Sequence, residues 1–130
     1  MTVYVADTHA LYWHLTASTR LGAAAVRAFD EGTRGEARIL IHAIVLAELF
    51  WILAKQGKAS AFAEVIDSLR TAAQFTLIDL HCDDLGDLVA DASVPEMHDR
   101  IIVGVARRRG AVLLTRDAAI IRSGRVSTAW

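Results

Sequence analysis

The sequence predicts an α/β domain: a mostly parallel sheet of about five strands with helices on its faces. Three observations predict it. Short apolar runs alternate along the chain with longer stretches of helical periodicity. The short runs are largely apolar, as in strands covered on both faces. Finally, 130 residues that are 54% hydrophobic and 22% charged suit one domain and can offset their ordering entropy by burial, which excludes a disordered chain. Eight Gly and one Pro exclude collagen-like or linker character.

The elements follow in order. Residues 3–6 read as a buried strand, 10–15 as a short helix and 21–31 as another. Residues 32–37 form a polar break before a second strand at 39–41. A strongly apolar helix spans 43–54 and stops near Gly57. Residues 61–73 are amphipathic, with Phe62, Val65, Ile66 and Leu69 on one side. A third strand is expected at 75–78 and a helix at 84–92. Pro95 opens a new segment, and a helix over 99–109 is stopped by Gly110. Residues 111–114 supply a fourth strand and 126–130 a fifth. No internal repeat, low-complexity segment or linker interrupts this pattern.

The net charge of −1 gives no hint of a polyanionic partner, but its distribution is uneven. Residues 1–97 carry 7 basic and 13 acidic side chains, and residues 98–130 carry 7 Arg against 2 acids. A local Arg excess attracts phosphate; equally, Arg107, Arg108 and Arg109 suit the solvated end of a helix, where cations complement the dipole. Asp83, Asp84, Asp87 and Asp91 read as a solvated helix face. The longest stretch free of Asp, Glu, Lys and Arg, residues 8–19, is shorter than the roughly 20 residues of a membrane span. The first residues lack a basic, apolar leader, and Cys82 is the single cysteine, so a reducing cytoplasm is the expected location.

In open parallel sheets, ligands sit outside the carboxyl ends of the strands. Asp7 directly follows the first strand, and Asp117 follows the fourth. Asp99 begins the helix that feeds the fourth strand. That helix rises about 15 Å over its ten steps, and the strand returns about 13 Å over four. Asp99 and Asp117 are therefore expected close together, at the same edge as Asp7. Glu48 lies in the second turn of a helix whose stretch from residue 39 to 54 is otherwise apolar except for His42. An ionised carboxylate there needs a cation, an Arg or a proton. Each residue has a simpler role open to it: Asp7, Asp99 and Asp117 as N-caps or turn residues, Glu48 as the partner of a core Arg. Together, four carboxylates without four cations repel one another and raise each other's pKa. A hard divalent cation such as Mg²⁺ or Mn²⁺ relieves that repulsion, and such sites serve phosphoryl transfer or phosphodiester hydrolysis.

These residues resemble the PIN-domain ribonucleases, specifically the VapC-type toxins of prokaryotic type II toxin–antitoxin pairs. The matching stretches are 4–13 (YVADTHALYW), 44–49 (IVLAEL), 95–102 (PEMHDRII) and 113–117 (LLTRD), with the tail 121–130 (IRSGRVSTAW). They span nearly the whole chain in the family's order. The resemblance implies a Rossmann-like PIN domain over residues 1–130, metal-dependent endoribonuclease activity with Mg²⁺ (Mn²⁺ as substitute), homodimerisation, and inhibition by a cognate antitoxin. It implies that Asp7, Glu48, Asp99 and Asp117 are catalytic. Of these, Asp7, Asp99 and Asp117 touch metal, and Glu48 orients a water or joins a second site. Thr115, and similarly Thr8, are expected to orient Asp7. Arg100 and Arg116 flank Asp99 and Asp117 and are expected either to bind RNA phosphate or to neutralise excess acid.

His9 and His98, beside proposed ligands, read as structural or phosphate-side groups, because carboxylates dominate the cluster. Tyr12, Trp13, Phe50 and Trp51 read as core, with a dimer or antitoxin surface as the other role open to each. Two rivals remain. A receiver-type phosphoacceptor with Asp79 as acceptor would need a Lys after a late strand, and the only lysines are Lys55 and Lys58. A non-catalytic PIN-like RNA- or protein-binding module is the other.

Overall fold

A computed structural model describes residues 1–130. The five expected strands are present as β1 (Thr2–Ala6), β2 (Ala37–His42), β3 (Phe75–Ile78), β4 (Val112–Leu114) and β5 (Thr128–Ala129). They form one sheet in the order β3-β2-β1-β4-β5, and every neighbouring pair is parallel. The helices are α1 (Thr8–Leu15), α2 (Ala23–Thr33), α3 (Ala43–Lys55), α4 (Phe62–Thr71), α5 (Asp87–Ala90), α6 (Met97–Arg108) and α7 (Ala118–Ser123). No helix is long and apolar enough to cross a membrane.

The strand runs without polar alternation become the centre of the core: Val5, Ile39, Ile41, Leu113 and Leu114 are buried, with Leu11, Val45, Leu49 and Ile102 from the helices packed against them. From β1 the chain builds outward to β2 and β3, then returns to the other side of β1 with β4 and β5. The order therefore reverses between β1 and β4, and the crevice at such a switch point is where open α/β sheets bind ligands. Two residues stand at its lip. The N–H of Asp7 donates to Leu114 O (3.1 Å), and that of Thr115 to Ala129 O (3.1 Å).

Several expectations are corrected. The 84–92 helix is a 3₁₀ turn (Cys82–Gly86) followed by the four-residue α5, and α7 is an unforeseen helix. Asp84, Asp87 and Asp91 are not a solvated face but buried. The guanidinium of Arg107 binds Asp91 (2.8 Å) and Asp87 (3.4 Å), Arg108 binds Asp84 (2.9 Å) and Asp87 (2.8 Å), and Arg125 binds Asp91 (3.0 Å). Arg107 and Arg108 are thus neither a free helix end nor a phosphate lure: with Arg125 they are answered by acids from the other part of the chain. Burial pushes the Asp91 carboxyl up, but the hydrogen bonds and charge of Arg107 and Arg125 outweigh it and hold it below the ordinary carboxylate range. Gly104 of α6 faces this network, where a Cβ would overlap the Asp87 carboxyl. Trp13 is core at 5% exposure, whereas Trp51 stands 62% exposed, stacked edge-on to half-buried Phe50; the core assignment of Trp51 does not hold.

Candidate active site: an acidic cleft at the switch point

Asp7 ends β1 and caps α1: its Oδ1 accepts the N–H of Ala10 (2.8 Å). Asp117 caps α7, its Oδ1 accepting from Ala119 (2.9 Å) and Ile120 (3.1 Å). The capping role and the cleft position coexist, because both helices start at the carboxyl edge of the sheet. Asp99 differs. Helix α6 begins two residues before it, and Glu96 is the N-cap, its Oε2 accepting the N–H of Asp99 (2.9 Å). The Asp99 side chain therefore has no capping duty. Glu48 projects from the second turn of α3 and accepts from the Thr8 hydroxyl (3.1 Å). No Arg reaches it; the nearest ring nitrogen is Nδ1 of His98, at 3.9 Å.

The four acids line one open cleft of about 400 Å³, together with Thr8, His9, Glu96, Ile102 and Arg116. Their electrostatics agree with convergence. Burial, then the charges of Glu96, Asp117, Glu48 and Asp7, push the Asp99 carboxyl up to about 7. Burial also raises Asp7, against hydrogen bonding from Thr115 and Ala10. It raises Glu48 too, against the Thr8 hydroxyl. Thr115 is fully buried, and its hydroxyl accepts the backbone N–H of Asp117 (3.1 Å). Thr8 holds Glu48, and not Asp7 as expected.

Arg100 is corrected as well. Its guanidinium donates to the carbonyls of Val94 (2.6 Å), Leu88 (2.8 Å) and Ala92 (3.3 Å), fastening the loop before α6; it is not available to phosphate. Arg116 stays in the cleft. Glu96 is a site residue that sequence reasoning missed: Glu is a weak N-cap by type, so nothing marked it.

The chain matches the PIN domain family over residues 4–125. The chain belongs to the PIN-domain family. Solved structures similar to this PIN domain include VapBC2 of Rickettsia felis bound to a DNA fragment from their promoter (TM-score 0.71, 17% identity, covering 98% of each chain). FitAcB of Neisseria gonorrhoeae is similar at TM-score 0.69 and 15% identity, covering 96% of this chain and 95% of that one. So is VapC20 of Mycobacterium tuberculosis, a Sarcin-Ricin loop cleaving toxin, at TM-score 0.69 and 17% identity, covering 95% of each. No curated protein matches the chain in sequence.

The donor set fits a hard divalent cation, since the candidate ligands are carboxylate oxygens and none is ion-paired to an Arg or Lys. No three His, Cys, Asp or Glu groups are drawn to ligating distance of one point.

Asp99 makes the repulsion measurable. Its folded pKa lies above the ordinary 3.8, so folding favours the protonated form. Its stabilising contribution is complete below about pH 4 and is lost as the pH rises through about 7. The displacement corresponds to about 4 kcal/mol for a fully buried group, and solvent screening at this partly open cleft reduces it to roughly 1–2 kcal/mol. In EDTA, Asp99→Asn is expected to be more stable than the parent by that amount at pH 8 and equal to it near pH 4. Urea unfolding at both pH values checks this; a variant less stable at pH 8 would show the carboxylate to be structural.

Proposed function

We propose that this PIN domain is a metal-dependent endoribonuclease, hydrolysing RNA phosphodiester bonds with Mg²⁺ or Mn²⁺, and that it is the VapC-type toxin of a toxin–antitoxin pair. The observation that carries the reading is the gathering of Asp7, Glu48, Asp99 and Asp117, from four separate elements, into one cleft without neutralising guanidinium groups. The fold it shares with VapBC2, FitAcB and VapC20 supports the toxin assignment and a cognate antitoxin as partner; a homodimeric assembly is proposed on the family resemblance alone.

When bound, a divalent cation would make a water more acidic and stabilise the departing oxygen. The chain's own residues do the rest. Asp7, Asp99 and Asp117 would hold the cation. Glu48, fixed by Thr8, orients the attacking water and accepts its proton, for which a carboxyl raised by burial is better matched than an ordinary one. Thr115 steadies Asp117 through its backbone N–H. Arg116 meets the strand's phosphate.

Purified protein is expected to cut single-stranded or structured RNA with Mg²⁺ or Mn²⁺ and to stop in EDTA. Expression in cells followed by mapping of RNA ends identifies the target. RNA bound but left intact with either ion would overturn the nuclease reading in favour of a binding module.

A further inference from the structure

Arg116 lies between Thr115 and Asp117 and lines the acidic cleft, yet it forms no ion pair with any of the four acids. Its guanidinium carbon instead sits 4.5 Å from the ring centroid of Trp13 and 6.0 Å from that of Trp130. The two indoles meet edge to face at 5.7 Å. Trp13 is anchored in the core. Trp130 is seated by its carbonyl, which accepts from Ala24 N–H (3.3 Å), and by Gly22, where a Cβ would collide with its backbone and ring.

An exposed guanidinium on a flexible stem, next to an excess of carboxylates, is drawn to them by Coulomb attraction. A cation over an indole face is attracted as well, and two indoles supply a seat with a defined position. We propose that Trp13 and Trp130 are positioning residues that hold Arg116 off the carboxylates and present its N–H edge to a phosphate of the RNA strand beside the bond to be cut. The inference rests on the nuclease reading of the cleft. Stacking occupies the face of the guanidinium and leaves its in-plane donors, the part that binds phosphate bidentately, for a ligand. It also keeps the acids unneutralised, so that a fixed positive charge inside the cleft, with Arg20 on the Trp13 ring 6.0 Å from its centroid, marks the strand's path past acids that otherwise repel a polyanion.

The test measures binding of a fluorescent single-stranded RNA in EDTA, and then kcat and KM with Mn²⁺. Arg116→Ala is expected to weaken binding about tenfold. Trp130→Leu, which keeps the apolar contact but removes the ring, is expected to weaken it about three- to fivefold. Trp130→Phe should bind nearly as the parent does. The Arg116→Ala/Trp130→Leu double variant should be no weaker than Arg116→Ala alone, and KM should rise with kcat nearly unchanged. Gly22→Ala, which displaces Trp130 while every aromatic group stays, should repeat the Trp130→Leu result and carries the comparison if that variant does not fold. Trp130→Leu and Gly22→Ala binding as the parent does, or losses that multiply in the double variant, would overturn the proposal. Binding that depends on Arg116 and Trp130 without cleavage in Mn²⁺ would sink the nuclease reading and support the bracket; cleavage with binding indifferent to Trp130 would sink the bracket alone.

Discussion

Asp7→Asn and Asp99→Asn are each expected to lower RNA cleavage by on the order of 10²–10³-fold or more while leaving the fold intact. The substitution is chosen to separate two roles of the same side chain. Asp7 caps α1 through Oδ1, and Asn caps a helix as well as Asp does. The hydrogen bond from Ala10 therefore survives, and what is lost is the charge. Asp99 has no capping duty, since Glu96 performs it, so its amide costs the helix nothing. The cleft acts as a unit, and the double variant is expected to be little worse than either single one. Cleavage with RNA ends mapped, alongside circular dichroism and unfolding in EDTA, checks both halves. Undiminished cleavage in both variants would remove the acidic cleft as the catalytic centre, and a collapse of folding would return Asp7 and Asp99 to a purely structural role.

The sheet was legible because most of its strands, β1, β4 and the end of β2 above all, are runs of consecutive apolar residues, a composition that places them at the centre of a layered fold. The carboxyl edge of such a sheet then points to Asp7 and Asp117, and the isolation of Glu48 in an apolar helix points to a compensated charge. Residues 84, 87 and 91 were misread for a definite reason. Their spacing says that they share a side, but spacing cannot say whether that side faces water or protein; their counter-ions, Arg107, Arg108 and Arg125, stand 16 to 34 positions further along. The opposite charge excess of the two parts of the chain was the one available signal. Helix α7 is six residues long, too short to show a period. The bracket around Arg116 joins residues 13, 116 and 130 and has no local signature.

Asp91→Ala is expected to destabilise the protein by about 3 kcal/mol, because it strips a buried carboxylate from two guanidinium groups. Asp91 is fully buried and accepts Nε (3.1 Å) and Nη2 (2.8 Å) of Arg107 and Nε of Arg125 (3.0 Å). Removing it leaves those donors facing a cavity, although both Arg side chains reach solvent enough to keep the loss at the lower end of the range for broken buried pairs. Its dependence on pH is opposite to that of Asp99. Asp91 is held below the ordinary carboxylate range, so its contribution is complete above about pH 4 and is lost as the pH falls through its folded pKa. The deficit of Asp91→Ala should accordingly be largest at neutral pH and shrink in acid, whereas the gain from Asp99→Asn appears only as the pH rises. Urea unfolding of both variants between pH 3 and pH 8 reads the two signs in one experiment. A carboxylate that stabilises when ionised is already paired within the protein. One that destabilises when ionised, in a cleft open to solvent, is paired with nothing in this chain, which is what the proposed cation-holding role of Asp99 requires.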